Sequence, residues 1–176
     1  KKLFEISQNK KRSGFVSTAE LATETIKIIE TLTTRKMAIT GIASGFKKLD
    51  KMTAGFQNSD LIIIAARPGM GKTSFSLNIV MHAGLVHGLK VGFFSLEMAK
   101  EQLMMRMLSA KSKLNFGKIR TGFLSDSEFQ KTVAAAETLQ RANIFIDDTP
   151  ALTSLDLRSR TRRLKSDKGI DILIVD

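Results

Sequence analysis

The residues most able to do chemistry lie together in Asp60-Leu-Ile-Ile-Ile-Ala-Ala-Arg-Pro-Gly-Met-Gly-Lys-Thr-Ser74. Within it, Ala66-x-x-x-x-Gly71-Lys72-Thr73 has the spacing of a phosphate-binding loop, with alanine in place of the first glycine. Gly69 and Gly71 let backbone N–H groups approach phosphate oxygens without a Cβ in the way. The helix that follows offers unpaired donors and the positive end of its dipole. Lys72 is placed to reach the β- and γ-phosphates, and the Thr73 hydroxyl to bind Mg²⁺. Ala66, Arg67, Pro68, Gly69, Met70, Gly71, Lys72, Thr73 and Ser74 are therefore the expected binding residues for a nucleoside triphosphate.

Acidic residues fall where such a loop needs partners. Asp176 closes the apolar run Ile172-Leu-Ile-Val-Asp176, a pattern whose carboxylate holds Mg²⁺ directly or through water. Glu97, in Phe93-Phe-Ser-Leu-Glu97, is the expected general base for an attacking water. For Asp147 and Asp148, a turn or helix-capping role stands beside a catalytic one. His82 and His87 fall in or just after the helix that follows the loop, with no second ligand at metal spacing, and read as structural.

These side chains need elements to carry them. Leu61–Ala66 reads as a strand, short, apolar and branched, stopped by Pro68. A helix is expected from Phe75 to about Val86, and a second strand over Lys90–Leu96. Helices follow over Lys100–Lys113 and from the Ser125-x-x-Glu128 capping signature to Leu139. A third strand spans Asn143–Asp147, a further helix Leu155–Leu164, and a fourth strand Ile170–Val175. Short apolar strands alternating with helices predict an α/β fold, a parallel sheet with helices on both faces. Ligands in such sheets gather outside the carboxyl ends of the strands, where the loop, Glu97, Asp147, Asp148 and Asp176 all fall.

Before this core, Ser17-x-x-Glu20 opens an amphipathic helix over about residues 18–32, with Leu21, Thr25, Ile28 and Leu32 on one stripe. It is short enough to need docking, on its own domain or on a neighbouring subunit. Lys10-Lys-Arg-Ser-Gly14 reads as a solvated linker. Residues 1–40 are thus a linker region, and 41–176 a nucleotide-binding portion.

The 176 residues are 43% hydrophobic, enough for one sizeable core. A formal charge of +11 points to a polyanionic partner, nucleic acid above all. Arg158, Arg160, Arg162, Arg163 and Lys165 crowd one helix, either as a solvated face or as a nucleic-acid or subunit contact. With no cysteine, disulfides and thiolate chemistry are excluded. No apolar run is long enough to span a membrane and no signal core follows the N-terminus, so a cytoplasmic protein with no membrane partner is expected. The closing run stops in what reads as a core strand, which suggests a piece of a longer protein.

Several motifs, in order, resemble the DnaB-type replicative DNA helicase family: Gly45-Phe46-x-x-Leu49-Asp50, Ala65 to Thr73, Phe94-Ser-Leu-Glu-Met98, Gln102-Leu-Met-Met-Arg-Met107, Arg120-Thr-Gly122, Ile146-Asp-Asp-Thr-Pro150 and Ile174-Val-Asp176. The resemblance covers about residues 40–176. It implies a RecA-like P-loop NTPase core, preceded by a linker helix, that binds ATP and Mg²⁺. By the same resemblance the core assembles as a homo-hexamer and unwinds duplex DNA by moving on single-stranded DNA. Lys72 and Thr73 match the family's Walker A pair, Glu97 its catalytic glutamate and Asp176 its Walker B aspartate. The helix over 18–32 sits where the family docks a linker helix on the adjacent subunit. Primase and a helicase loader are the implied partners of the full-length protein. Residues 41–176 are then the N-terminal portion of the ATPase domain, weakly active or inactive alone. Gly69 stands where the family more often has serine, which should loosen the phosphate cradle. The rival is a RecA-like nucleotide-gated DNA-binding or assembly module without unwinding activity.

Overall fold

The computed structural model describes residues 15–35 and 38–176, so the basic stretch Lys10–Gly14 lies outside the described residues. The chain divides into two compact units, with the boundary between Ala38 and Ile39. In the first, helix α1 runs Thr18–Arg35. The Glu20 N–H donates to Ser17 Oγ at 3.3 Å, one half of the expected cap. Leu21, Ile26, Ile28, Ile29 and Leu32 remain exposed along it.

The second unit is built on three parallel strands in the order β2-β1-β3, with β1 Val91–Phe94, β2 Ile144–Asp147 and β3 Ile172–Val175. Val91 pairs with Ile144 and Ile172, and Phe94 with Asp147 and Val175, so the carboxyl ends of all three strands are level. β1 is buried throughout, as a central strand covered on both faces must be. On one face Val91 and Phe93 pack against Leu77 and Val80 of helix α3 (Lys72–Met81), Leu103 and Met107 of α4 (Lys100–Ser112), and Leu139 of α6 (Asp126–Gln140). Full burial of side chains such as Phe93 and Leu103 contributes about 1.5–3 kcal/mol each. The other face carries α7 (Ser154–Lys168). A Cβ on Gly92 would lie 3.1 Å from Leu164 of that helix and 2.9 Å from Leu173, so glycine lets α7 close down on the sheet.

Helix starts follow local signals. Ser125 and Glu128 form the expected reciprocal capping box on α6, and Thr153 and Asp156 form another on α7. Helix α5 (Phe116–Thr121) was not expected from the sequence; Asn115 caps it, its side chain accepting from the Gly117 N–H at 2.7 Å. Helix α3 begins at Lys72 and passes at His82 into a π-turn, His82–Val86. Among the described residues no helix is long and apolar enough to cross a membrane.

One expected strand is absent. Leu61–Ala66 forms no ladder, and Leu61 and Ile63 are more than four-fifths exposed. A cleft of about 610 Å³, lined by Leu61–Ile64 on one side and Ile172–Asp176 on the other, separates this run from β3. Apolar branched residues favour a strand only when a partner edge comes within hydrogen-bonding distance, and here the nearest edge does not.

Ahead of the phosphate loop, an isolated antiparallel bridge joins Ile42 to Phe56, and helix α2 (Lys47–Thr53) lies between them. Buried Asp50 secures this segment, accepting from the Ser44 N–H at 2.7 Å, the Ser44 hydroxyl at 2.6 Å and the Gly45 N–H at 3.2 Å. Burial pushes the Asp50 carboxyl up, but those donors outweigh it and hold it below its ordinary range. Phe46 then stacks on Phe75 of α3, with ring centroids 4.7 Å apart, which ties the segment to the helix that carries Lys72.

Candidate functional site

The loop from Ala66 to Gly71 is exposed to solvent, as is Ser74, while Lys72 and Thr73 are half-buried. Gly69 and Gly71 have φ of +78° and +89°, in the left-handed region where a side chain is strained. Nothing lies within 4 Å of a Cβ built at either. Backbone conformation therefore requires glycine at both positions, and at Gly69 it disfavours the serine that the resemblance suggested. Gly71 caps α3 without a side-chain hydrogen bond, which leaves the first-turn N–H groups facing outward without a side-chain acceptor.

Lys72, Thr73 and Glu97 converge on or beside Asp176. Thr73 Oγ1 donates to Asp176 Oδ2 at 2.6 Å, and Lys72 Nζ lies 3.2 Å from Asp176 Oδ1 and 3.4 Å from Glu97 Oε1. The Asp176 side chain is only 2% exposed, so its charge has to be compensated, and these two partners do it. Asp176, with Glu97 second, raises the Lys72 ammonium above its ordinary range and keeps it charged. Two backbone bonds pin Asp176 to the end of β1: its N–H donates to Phe94 O at 2.9 Å, and its carbonyl accepts from the Leu96 N–H at 2.7 Å.

Glu97 depends on Ser95, which lies inside the Phe94–Met98 motif but was given no role from the sequence. Ser95 is 2% exposed; its hydroxyl donates to Met98 O at 2.6 Å and accepts from the Met98 N–H at 3.2 Å. The tight turn that results turns Glu97 outward, 64% exposed, above Lys72. A serine two residues before the acid, able to bond its own backbone, was the available signal.

Asp147 and Asp148 are occupied locally. Asp148 accepts from the Lys100 N–H at 3.0 Å, at the first turn of α4, and from Lys100 Nζ at 3.3 Å. The Lys100 N–H is the larger influence, and the pair holds Asp148 below the usual carboxylate range. Asp147 takes the Thr149 N–H, the Thr149 hydroxyl and, at 2.7 Å, Arg160 of α7. These are turn, cap and inter-element roles. Within the basic helix, Arg160 is thereby engaged and Arg163 lies 3.6 Å from Asp167.

Among the described residues no three His, Cys, Asp or Glu side chains gather into a metal site. Mg²⁺ needs no such cluster, because it is commonly held by one or two protein oxygens and completed by phosphate and water. The Thr73 hydroxyl and the Asp176 carboxylate, 2.6 Å apart, suit that donor set.

An exposed glycine-kinked loop opening a helix, with a buried strand-end carboxylate behind its lysine and threonine, defines a nucleotide-binding P-loop domain of the α/β class. Residues 41–176 match the family described as DnaB-like helicase C terminal domain, and the chain belongs to that family. It is 43% identical over its whole length to the replicative DNA helicase DnaB of Geobacillus stearothermophilus, and equally to the replicative DNA helicase DnaC of Bacillus subtilis. In both cases it spans 39% of the relative's length. Among solved structures, one described as an ATPase domain matches 93% of the chain with a TM-score of 0.80 and 30% identity, and 57% of that domain's own chain is covered. A DnaB-like replicative helicase studied for its interactions with primase matches 99% of the chain and 42% of its own, with a TM-score of 0.78 and 28% identity. These neighbours make the fold RecA-like.

Proposed function

We propose that the chain is part of the ATP-driven motor of a replicative DNA helicase, and that Lys72, Thr73, Glu97 and Asp176 are its hydrolytic site. The observation that carries the reading is their convergence: 2.6 Å from Thr73 to Asp176, 3.2 Å from Lys72 to Asp176 and 3.4 Å from Lys72 to Glu97, across 103 residues of sequence between Thr73 and Asp176.

Ala66–Ser74 wraps the phosphates with backbone N–H groups and the start of α3. Lys72 neutralises β- and γ-phosphate charge. Thr73 and Asp176 would hold Mg²⁺, which supplies charge compensation to the phosphates when bound. Glu97, solvent-facing and fixed by the Ser95 turn, orients and deprotonates the water that attacks the γ-phosphate. The full-length protein works as a homo-hexamer on single-stranded DNA, with α1 docking on the neighbouring subunit and with primase and a loader as partners. Family membership, the length of its relatives and the exposed apolar stripe of α1 support this assembly.

In the full-length protein, Lys72→Ala should abolish nucleotide binding or turnover, whereas Glu97→Gln should bind ATP as the parent does and lose turnover by about 10²–10⁴-fold. Parental hydrolysis in Glu97→Gln would overturn the assignment of the base. ATP-dependent strand displacement with one polarity supports the helicase reading; nucleotide-gated DNA binding without displacement would replace it with a binding or assembly module.

A further inference from the structure

His82 and His87 are badly spaced for a shared ligand on an α-helix, where residues three or four apart meet. The structure removes the mismatch. At His82 the helix passes into the π-turn His82–Val86, whose wider turn adds a residue per repeat. Both imidazoles come to one side, with their Nε2 atoms 3.2 Å apart, ring centroids 4.9 Å apart and planes 77° apart.

These distances can be set beside two ideal arrangements. In an in-line N–H···N bond of that length the centroids would be about 5.4 Å apart, because each lies about 1.1 Å behind its nitrogen. Two nitrogens bound to one ion at about 2.0–2.1 Å and a near-tetrahedral angle lie about 3.3–3.4 Å apart, with centroids about 5.1–5.2 Å apart. The observed contact is a bent N–H···N hydrogen bond whose distances lie closer to the second arrangement, so both nitrogens already face a common position.

One ring is also held in place. A Cβ on Gly45, at φ +87°, would come within 2.7 Å of His82 Cγ and 3.0 Å of Nδ1, so the imidazole lies against bare backbone in the segment anchored by Asp50. His87 is exposed and accessible to solvent.

We propose that His82 and His87 form a two-histidine site for a divalent transition-metal ion of the zinc class. Imidazole nitrogens suit zinc, copper and nickel. No third His, Cys, Asp or Glu joins the pair among the described residues, so water completes the coordination and the affinity is micromolar rather than structural-site strength. The bound ion cross-links the two ends of the π-turn and stiffens the far end of the helix that begins at Lys72.

The test is titration of the purified chain with Zn²⁺ alone, followed by calorimetry and thermal melting. The expected result is an ion per chain whose uptake is lost in His87→Gln and in His82→Ala, with a Zn²⁺-induced rise in Tm of several degrees in the parent only. His87→Gln changes an exposed side chain, and its circular dichroism should match the parent. X-ray absorption of the loaded protein should show two imidazole ligands. Absence of binding up to millimolar Zn²⁺ would overturn the proposal. So would parental binding by His87→Gln, which would place the ion elsewhere, for instance among the strand-end carboxylates.

Discussion

Asp50→Ala should destabilise the second unit by about 3 kcal/mol, although Asp50 touches none of the residues proposed for chemistry. The carboxylate is 4% exposed and accepts three hydrogen bonds, at 2.7, 2.6 and 3.2 Å. Alanine strands two backbone N–H groups and a hydroxyl in a site where Ser44 is 1% exposed. Each orphaned buried donor costs about 1–3 kcal/mol, and part of the sum is offset because a buried charge is also removed. For a domain of this size, 3 kcal/mol is a fall in Tm of roughly 10 °C. Urea denaturation and calorimetry of parent and variant at pH 7 measure it. The dependence on pH provides a second reading. The folded-state pKa is depressed below its ordinary 3.8, so the ionised carboxylate's contribution is complete above 3.8 and is lost as pH falls through the lower folded value. The gap between parent and Asp50→Asn should therefore be constant from pH 5 to neutrality and close only in acid. A loss below about 1 kcal/mol at pH 7, or a gap that already closes near neutrality, would refute the clamp.

Three further outcomes are expected. Asp176→Asn should keep the shape of the strand end but make nucleotide binding nearly indifferent to Mg²⁺, seen as equal fluorescent-nucleotide affinity with Mg²⁺ and with EDTA. Ser95→Ala should cost about 1 kcal/mol in stability and lower turnover in the full-length protein roughly tenfold at unchanged nucleotide affinity, because the hydroxyl holds the turn beneath Glu97. Glu128, drawn down to about 2 by Lys118 and the Ser125 N–H, has a folded pKa below its ordinary 4.5. Its stabilisation is present above 4.5 and disappears as pH falls from 4.5 towards 2, so Glu128→Gln should flatten the denaturation midpoint across that window.

Much of the architecture was readable because it is locally encoded. β1, β2 and β3 came from short apolar runs, α6 from the Ser125 and Glu128 pair, and the candidate site was proposed from a loop spacing joined to acids at strand ends. What the chain alone could not show depends on distant partners. Leu61–Ala66 has every local preference for a strand, yet pairing requires an edge that stands across a cleft. Lys100 with Asp148, and Arg160 with Asp147, are contacts set by helix placement, so neither aspartate's role could be decided from its neighbours in sequence. Helix α5 was hidden by Gly117, a poor helix former inside its first turn. The π-turn was hidden because nothing in Met81 to Gly88 announces a change from α- to π-spacing.

Lys72 meets any phosphate with two anionic partners already at 3.2 and 3.4 Å. In the proposed site, phosphate capture by this lysine would therefore be an exchange, in which one set of negative oxygens displaces another. A single small anion offers little over the carboxylates it would replace. A polyphosphate with its own dication would offer more, because Asp176 and Thr73 would hold the cation and leave the lysine free for the phosphate. Glu97, 3.4 Å from the same lysine, would part from it in that exchange. In the proposed site the two ion pairs would thus act as a filter on what binds.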